Sequence, residues 1–361
     1  MRIIITILFV ISLTTLGYSQ KPVENPQYLA GKLQKGFIIP HSAAIEDISF
    51  TNPSGIMFSY GKIMLSEKGY KTINQFSKTG LSLYIYDYQY PEVLGHSFNL
   101  SIYGEPVFRF HKALYLSIKA GLGVSYLTKV YNAESNPENK FFSTAISFII
   151  FAQLNINYKL NKQWHLSLNA AYPHISNGGI KQPNKGMNFP AFGLGAEYIL
   201  SSYRLPDYSA LKTDSFKSTF AYEGELFLCA KNINESENFE AKLLWLYGMQ
   251  LRASRQISKL NSLSIAAEWI ADNYDKERIK RAGLELSHHK AALMLGHELL
   301  FGQFSFRQQF AFYIFAPYET DIAYQRYTLS YALNKHLMIS GSLKANKHVA
   351  DIFDFRIGFR Y

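Results

Sequence analysis

The last strand-like segment constrains this chain most. From position 353 to the final residue, Phe353, Phe355, Ile357, Phe359 and Tyr361 alternate without exception with Asp354, Arg356, Gly358 and Arg360. A period of two places one set on each face of a β-strand, so this segment has one apolar and one polar face. On its own it fits an edge strand of a soluble sandwich or a strand in contact with lipid. The same alternation recurs along the chain in segments of about ten residues, the length that crosses a bilayer at a tilt.

These segments predict strands at Gly55 to Met64, Leu81 to Tyr90, Phe98 to Phe110, Leu114 to Tyr126, Thr144 to Leu160, Trp164 to Ser176 and Asn188 to Leu200. A first strand is placed at Gly36 to Ser42. The second half adds Ser218 to Ala230, Leu243 to Arg255, Leu263 to Asp272, Ile279 to His288, Ala291 to Leu300, Phe304 to Phe315, Ala323 to Leu333, Leu337 to Lys344 and Ile352 to Tyr361. Sustained helical periodicity is found nowhere, and after residue 19 no apolar run is long enough for a membrane helix. A sheet in lipid must close on itself to satisfy its backbone, so the expected fold is all-β: an antiparallel transmembrane β-barrel of 14 to 16 strands. The aromatic surplus, 27 Phe, 26 Tyr and 3 Trp, then serves the membrane interfaces and the band between them.

The N-terminus sets the route. Arg2, the apolar stretch Ile3 to Leu16, and Gly17-Tyr18-Ser19 read as a cleaved secretory signal peptide over residues 1–19 rather than a retained anchor. Residues 20–200 and 201–361 carry similar strand content, with Tyr203 to Asp214 as the best linker. The second portion is expected to add strands to one barrel, with a separate barrel-like or accessory unit as the alternative. A single cysteine, Cys229, excludes an internal disulfide and a Cys-rich zinc site. The net charge of +10 favours anionic partners. His288, His289 and His297 lack a carboxylate cluster at ligand spacing, so no metal and no cofactor are expected. Asp272, Asp275 and Glu277 read as a solvated loop, and Glu105, Glu223 and Glu225 as lumen filling. A secreted chain has no evident use for nucleic acid.

The chemistry concentrates in His174-Ile175-Ser176-Asn177-Gly178-Gly179-Ile180-Lys181-Gln182-Pro183-Asn184-Lys185-Gly186-Met187-Asn188. In the strand leading in, Leu166, Leu168, Ala170 and Tyr172 are even, while His165, Ser167 and Asn169 are odd. His174 and Ser176 therefore share the lipid-facing side, roughly 6.6 Å apart at Cα. Asn188 falls on the outward side of the following strand. A serine hydroxyl becomes a nucleophile when a base takes its proton, and the base needs a third group to fix its tautomer. His174 is the candidate base, Ser176 the nucleophile and Asn188 the orienting group.

Here the chain resembles the lipid A 3-O-deacylase family, also called acyloxyacyl hydrolases, through H-x-S-N-x-G-x-x-x-P-N-x-G and, upstream, Gly121 to Leu127 and Asn136-Pro137. The likeness extends over roughly Gly36 to Leu200. It implies an outer-membrane carboxylic-ester hydrolase acting on lipid A of lipopolysaccharide, with Asn177, Asn184 and the backbone at Gly179 around the oxyanion. The family's usual residue at the position of Asn188 is Glu; an amide can hold the imidazole but supplies no charge for an imidazolium. The competing reading is a non-enzymatic barrel, either a pore or a lipid-binding homologue.

Overall fold

The computed structural model describes residues 25–73, 75–208, 217–236, 238–346 and 349–361. The expected signal peptide lies outside them. Its dominant feature is two closed rings of antiparallel strands in place of one. The first contains β1 (Gln27–Gly36), β2 (Ser54–Met64), β3 (Phe76–Asp87), β4 (His96–Phe108), β5 (Leu114–Leu127), β6 (Ile146–Lys159), β7 (Trp164–Ser176) and β9 (Ala191–Ile199). It closes through β1 against β9 and β7 against both β6 and β9. The two-residue β8 (Met187–Asn188) pairs with the far end of β7 in the register that β9 continues, so β8 and β9 act as one strand interrupted at Phe189-Pro190.

The second ring contains β10 (Phe220–Ile233), β11 (Lys242–Gln256), β12 (Asn261–Asp272), β13 (His289–Phe301), β14 (Phe304–Phe315), β15 (Ala323–Ala332), β16 (Leu337–Asn346) and β17 (Val349–Arg360). It closes through β10 against β17. The expectation of a single wide barrel is therefore corrected: the strands divide eight and eight. Alternation records which face a residue takes and is blind to which distant strands meet. The expected first strand at Gly36 to Ser42 is also corrected, because the strand that closes the first ring is Gln27–Gly36. Of the expected linker, residues 209–214 lie outside the described residues; Tyr208 donates to the Leu65 carbonyl at 2.8 Å, at the base of the first ring.

The interior chemistry explains why each ring can be narrow. Eight strands leave a bore that side chains fill. In the first ring, Lys78 pairs with Glu197 at 2.7 Å, Lys32 donates to Asn155 at 2.7 Å and Lys119 to Ser82 at 2.7 Å. In the second, Arg307 meets Glu225 at 2.5 Å, and Arg356 reaches Glu225 at 2.9 Å and Asp354 at 2.7 Å. Arg326 meets Glu268 at 2.8 Å and Asp354 at 2.5 Å, while Arg252 meets Glu298 at 2.8 Å. These guanidinium and carboxylate groups are fully withdrawn from solvent, and each charge has an opposite partner. The outward residues are Leu, Ile, Phe and Tyr, as in Leu33, Phe58, Leu168 and Leu194 of the first ring and Leu226, Leu251, Ile265 and Leu295 of the second. Polar inside and apolar outside is the arrangement matched to a bilayer.

One further correction concerns Asn273–Arg281, which forms a helix, α2, where a solvated loop and then a strand from Ile279 were expected. A shorter helix, α1 (Glu67–Ile73), joins β2 to β3. Asp272 caps α2 by accepting from the Asp275 amide at 3.0 Å, and Lys290 bridges Asp272 at 2.7 Å and Asp275 at 2.6 Å. A single turn of cap and counter-charge overrides the weak alternation there. Short turns at 161–163, 302–303 and 333–336 mark one end of both barrels, and long connections at 37–53, 128–145 and 177–186 mark the other. In outer-membrane barrels the long loops are the extracellular ones.

Arg356 is the hub of the second interior. Replacing it with Met takes one of two guanidinium partners from each of Glu225, Asp354 and Glu268, which keep only Arg307 and Arg326, and leaves the bore one positive charge short, at a cost of about 3 kcal/mol. Urea unfolding in liposomes should show a clearly lowered midpoint for Arg356→Met; an unchanged midpoint would mean that the network does not hold the ring.

Candidate active site at the outer rim

β7 carries His165, Ser167 and Asn169 into the bore and leaves Leu166, Leu168 and Tyr172 exposed. His174 and Ser176 continue the outward set at the long-loop end, both half-buried. The imidazole Nε2 lies 3.1 Å from the Ser176 Oγ, and Nδ1 lies 2.6 Å from the Asn188 Oδ1. Register places Asn188 directly across from His174. The three residues paired by sequence parity thus stand in one hydrogen-bonded row on the outside of the first barrel.

A fourth residue completes the row and has no sequence signal. His41 leaves β1 in the loop before β2. Its Nε2 lies 2.8 Å from the Lys185 carbonyl, and its Nδ1 lies 3.4 Å from the Asn188 Nδ2. The carbonyl can only accept, so a neutral His41 donates from Nε2 and presents a bare Nδ1. The Asn188 amide then donates to His41 and turns its oxygen to His174. His174 in turn carries its proton on Nδ1, which leaves Nε2 bare toward the Ser176 hydroxyl. That is the tautomer a general base requires.

The loop from Asn177 to Gly186 holds this row flat. Gly178, Gly179 and Gly186 adopt positive φ, which favours glycine. A Cβ on Gly186 would stand 2.9 Å from the imidazole Cε1 and 3.1 Å from the Ser176 Cβ, so only glycine leaves room for the pair. The preceding long loop braces it: Gly186 N–H donates to the Phe141 carbonyl at 3.1 Å and Lys185 N–H to the Lys140 carbonyl at 3.0 Å.

The expected oxyanion group is redistributed. Asn177 is buried, with its amide nitrogen donating to Ser143 Oγ at 3.0 Å and the Lys181 carbonyl at 2.9 Å. Its side-chain oxygen accepts the Gly179 N–H at 2.9 Å. Both Asn177 and Gly179 are therefore committed to shaping the loop. Asn184 accepts the Asn177 N–H at 3.2 Å through its oxygen, which turns its amide nitrogen away from that contact. Exposed Lys140, Lys181 and Lys185 surround the loop with positive charge.

Two family models match the chain: "Lipid A 3-O-deacylase (PagL)" over residues 55–197 and "Acyloxyacyl hydrolase, C-terminal domain" over residues 220–361. Residues 55–197 belong to the lipid A 3-O-deacylase family. The two matches together span most of the chain's length and follow the two rings, the second of which is the C-terminal acyloxyacyl hydrolase domain. A search of curated proteins returned no match. Among solved structures, the outer membrane enzyme PagL is similar at 15% identity and a TM-score of 0.32, with 47% of this chain and 99% of that one covered. The β-domain of the Bordetella autotransporter BrkA is similar at 10% identity and a TM-score of 0.27, covering 94% of this chain and 99% of that one. A porin of Rhodopseudomonas blastica follows at 9% identity and 0.19, covering 93% and 100%. Scores this low leave the family assignment to the two family models.

Gly186→Ala tests the geometry of the row. Labelling of Ser176 by a fluorophosphonate probe should fall at least about tenfold while heat-modified gel mobility, the mark of a folded barrel, stays unchanged. Labelling equal to that of the unaltered protein would show that the close approach of loop and imidazole is immaterial.

Proposed function

We propose that this outer-membrane protein hydrolyses an ester-linked acyl chain of lipid A, with Ser176 as nucleophile, His174 as general base and Asn188 as the group that orients it. The observation that carries the reading is the outward direction of the row. A serine activated on the lipid-facing wall, at the long-loop rim, meets esters held in the outer leaflet and is turned away from anything in the bore. The Ser176 Oγ attacks the acyl carbonyl as its proton passes to His174 Nε2. Collapse of the tetrahedral intermediate breaks the bond to the sugar oxygen, which leaves with that proton. Water then attacks the acyl-serine, giving a proton to His174 Nε2, which passes it to the Ser176 oxygen as the acyl–oxygen bond breaks and the fatty acid departs. The oxyanion is assigned to the Asn184 amide nitrogen, the side-chain oxygen of this residue being taken by the Asn177 N–H. The exposed lysines attract the phosphorylated headgroup.

His41 acts through Asn188 and is a positioning residue. An amide, unlike a carboxylate, can present its nitrogen to the imidazole, and His41 prevents that. The interior chemistry argues against the pore reading, since both bores are occupied by paired charges. Purified protein should release fatty acid from lipid A vesicles, and Ser176→Ala should abolish release. Release that survives Ser176→Ala would defeat the assignment, and porin-like conductance in planar bilayers with no fatty acid released would favour the rival.

The amide predicts an interaction between two positions. His41→Ala should lower kcat about tenfold with KM little changed, and Asn188→Asp should make that loss disappear, because a carboxylate accepts from either oxygen. An equal loss in both backgrounds would mean that His41 serves only the loop.

A further inference from the structure

The second barrel touches the first beside Ser176. Phe148 on β6 is the direct cross-strand partner of Ser176 and so shares its outward face. Its ring lies 5.5 Å from Phe353 and 5.9 Å from Phe355, both on β17 of the second barrel. A Cβ on Gly178, two residues past the nucleophile, would stand 3.1 Å from the Phe353 Cβ, and the Asn232 N–H of β10 donates to the Gly179 carbonyl at 3.1 Å. The β17 rim is pinned there, because Asp351 is held between Lys231 and Lys344 at 2.6 Å each.

The exposure pattern along β6 marks a crevice. Phe148 and Ile150 are half-buried where the barrels meet, whereas Leu154 and Ile156, further down the same outward face, are open to lipid. Phe353 is half-buried, yet Phe355 keeps 57% of its surface exposed. Below the contact, outward Ala152 and Ala170 leave the wall of the first barrel shallow. The two walls thus meet at the Phe148–Phe353 contact beside the nucleophile and part below it, where Ile150 on one barrel and exposed Phe355 on the other flank an apolar cleft.

We infer that the second barrel supplies one wall of the acyl-chain site: Phe355, positioned by the Phe148–Phe353 contact, seats the hydrocarbon of the chain being cleaved across from Ile150, and so selects for chain length. This inference rests on the deacylase reading and deepens it. An ester whose carbonyl sits at Ser176 has its alkyl tail directed into hydrocarbon, and the cleft is where that tail finds fixed partners on both sides. A short acyl group ends before it reaches Phe355 and is indifferent to it. The C-terminal barrel thereby acquires a function its packed bore does not offer.

The test uses the full chain in detergent micelles with p-nitrophenyl butyrate and p-nitrophenyl myristate. Phe355→Ala should lower kcat/KM for the myristate ester about tenfold and leave the butyrate ester unchanged. Phe355→Trp, which narrows the cleft without removing apolar surface, should also shift preference toward butyrate. Leu293→Ala, on the lipid-facing side of β13, is the control and should change neither. Unchanged rates in the Phe variants, or equal losses on both esters, would overturn the inference while leaving the deacylase reading intact. An unaltered chain that hydrolyses neither ester nor lipid A would defeat the deacylase reading itself, and this inference with it.

Discussion

A backbone in hydrocarbon has no water to bond, and every strand edge left open there costs several kcal/mol for each unpaired group. Ring closure follows from that constraint, and the rest of the molecule follows from ring closure. Two pairings carry it: β1 against β9, and β10 against β17. Once closed at eight strands, each barrel has a bore too narrow for a water channel, so the inward residues must satisfy one another. Arg307, Arg326 and Arg356 are completely enclosed, and each is met by carboxylates from other strands. Polarity is thus inverted relative to a water-soluble protein, and a polar side chain on the exterior becomes the exception that requires a reason.

His174 and Ser176 are that exception. They occupy the outward face in a strand whose other outward members are Trp164, Leu166, Leu168, Ala170 and Tyr172. Their polarity is satisfied along a single line from the Lys185 carbonyl through His41, Asn188 and His174 to the hydroxyl. Directionality begins at the carbonyl, which only accepts, and each donor along the line fixes the next. A carboxylate in place of Asn188 would need no such chain, because both its oxygens accept. With an amide there, the orientation of the His174 imidazole depends on a loop residue more than a hundred positions away in sequence.

Much of the site was legible before any coordinates, because strand parity is a local property. The alternation through Leu166 and Leu168 assigns His174 and Ser176 to one face, and the turn-rich run to Gly186 brings Asn188 back beside them. What escaped was non-local. His41 lies in a loop whose position depends on where β1 ends, and the sequence pattern places the start of that strand at Gly36, nine residues after its true start at Gln27. The division into two rings stood only as the alternative for the same reason: strands that close a small barrel and strands that widen a large one share one pattern. The helix at Asn273–Arg281 was missed because a brief alternation from Ile279 outweighed the Asp272 cap, whose partner Lys290 lies on the next strand. The commitments of Asn177 and Gly179 to the loop were equally hidden, since a motif specifies residue types and leaves open which hydrogen bonds they already make.

The account depends above all on an ester in the outer leaflet reaching a serine on the barrel's exterior. Mass spectrometry of lipid A from cells making the full-length protein, set against cells making none, measures this most directly. The account predicts a new lipid A species lighter by a single ester-linked acyl group. Lipid A of unchanged mass, with the protein folded in the outer membrane, would contradict it.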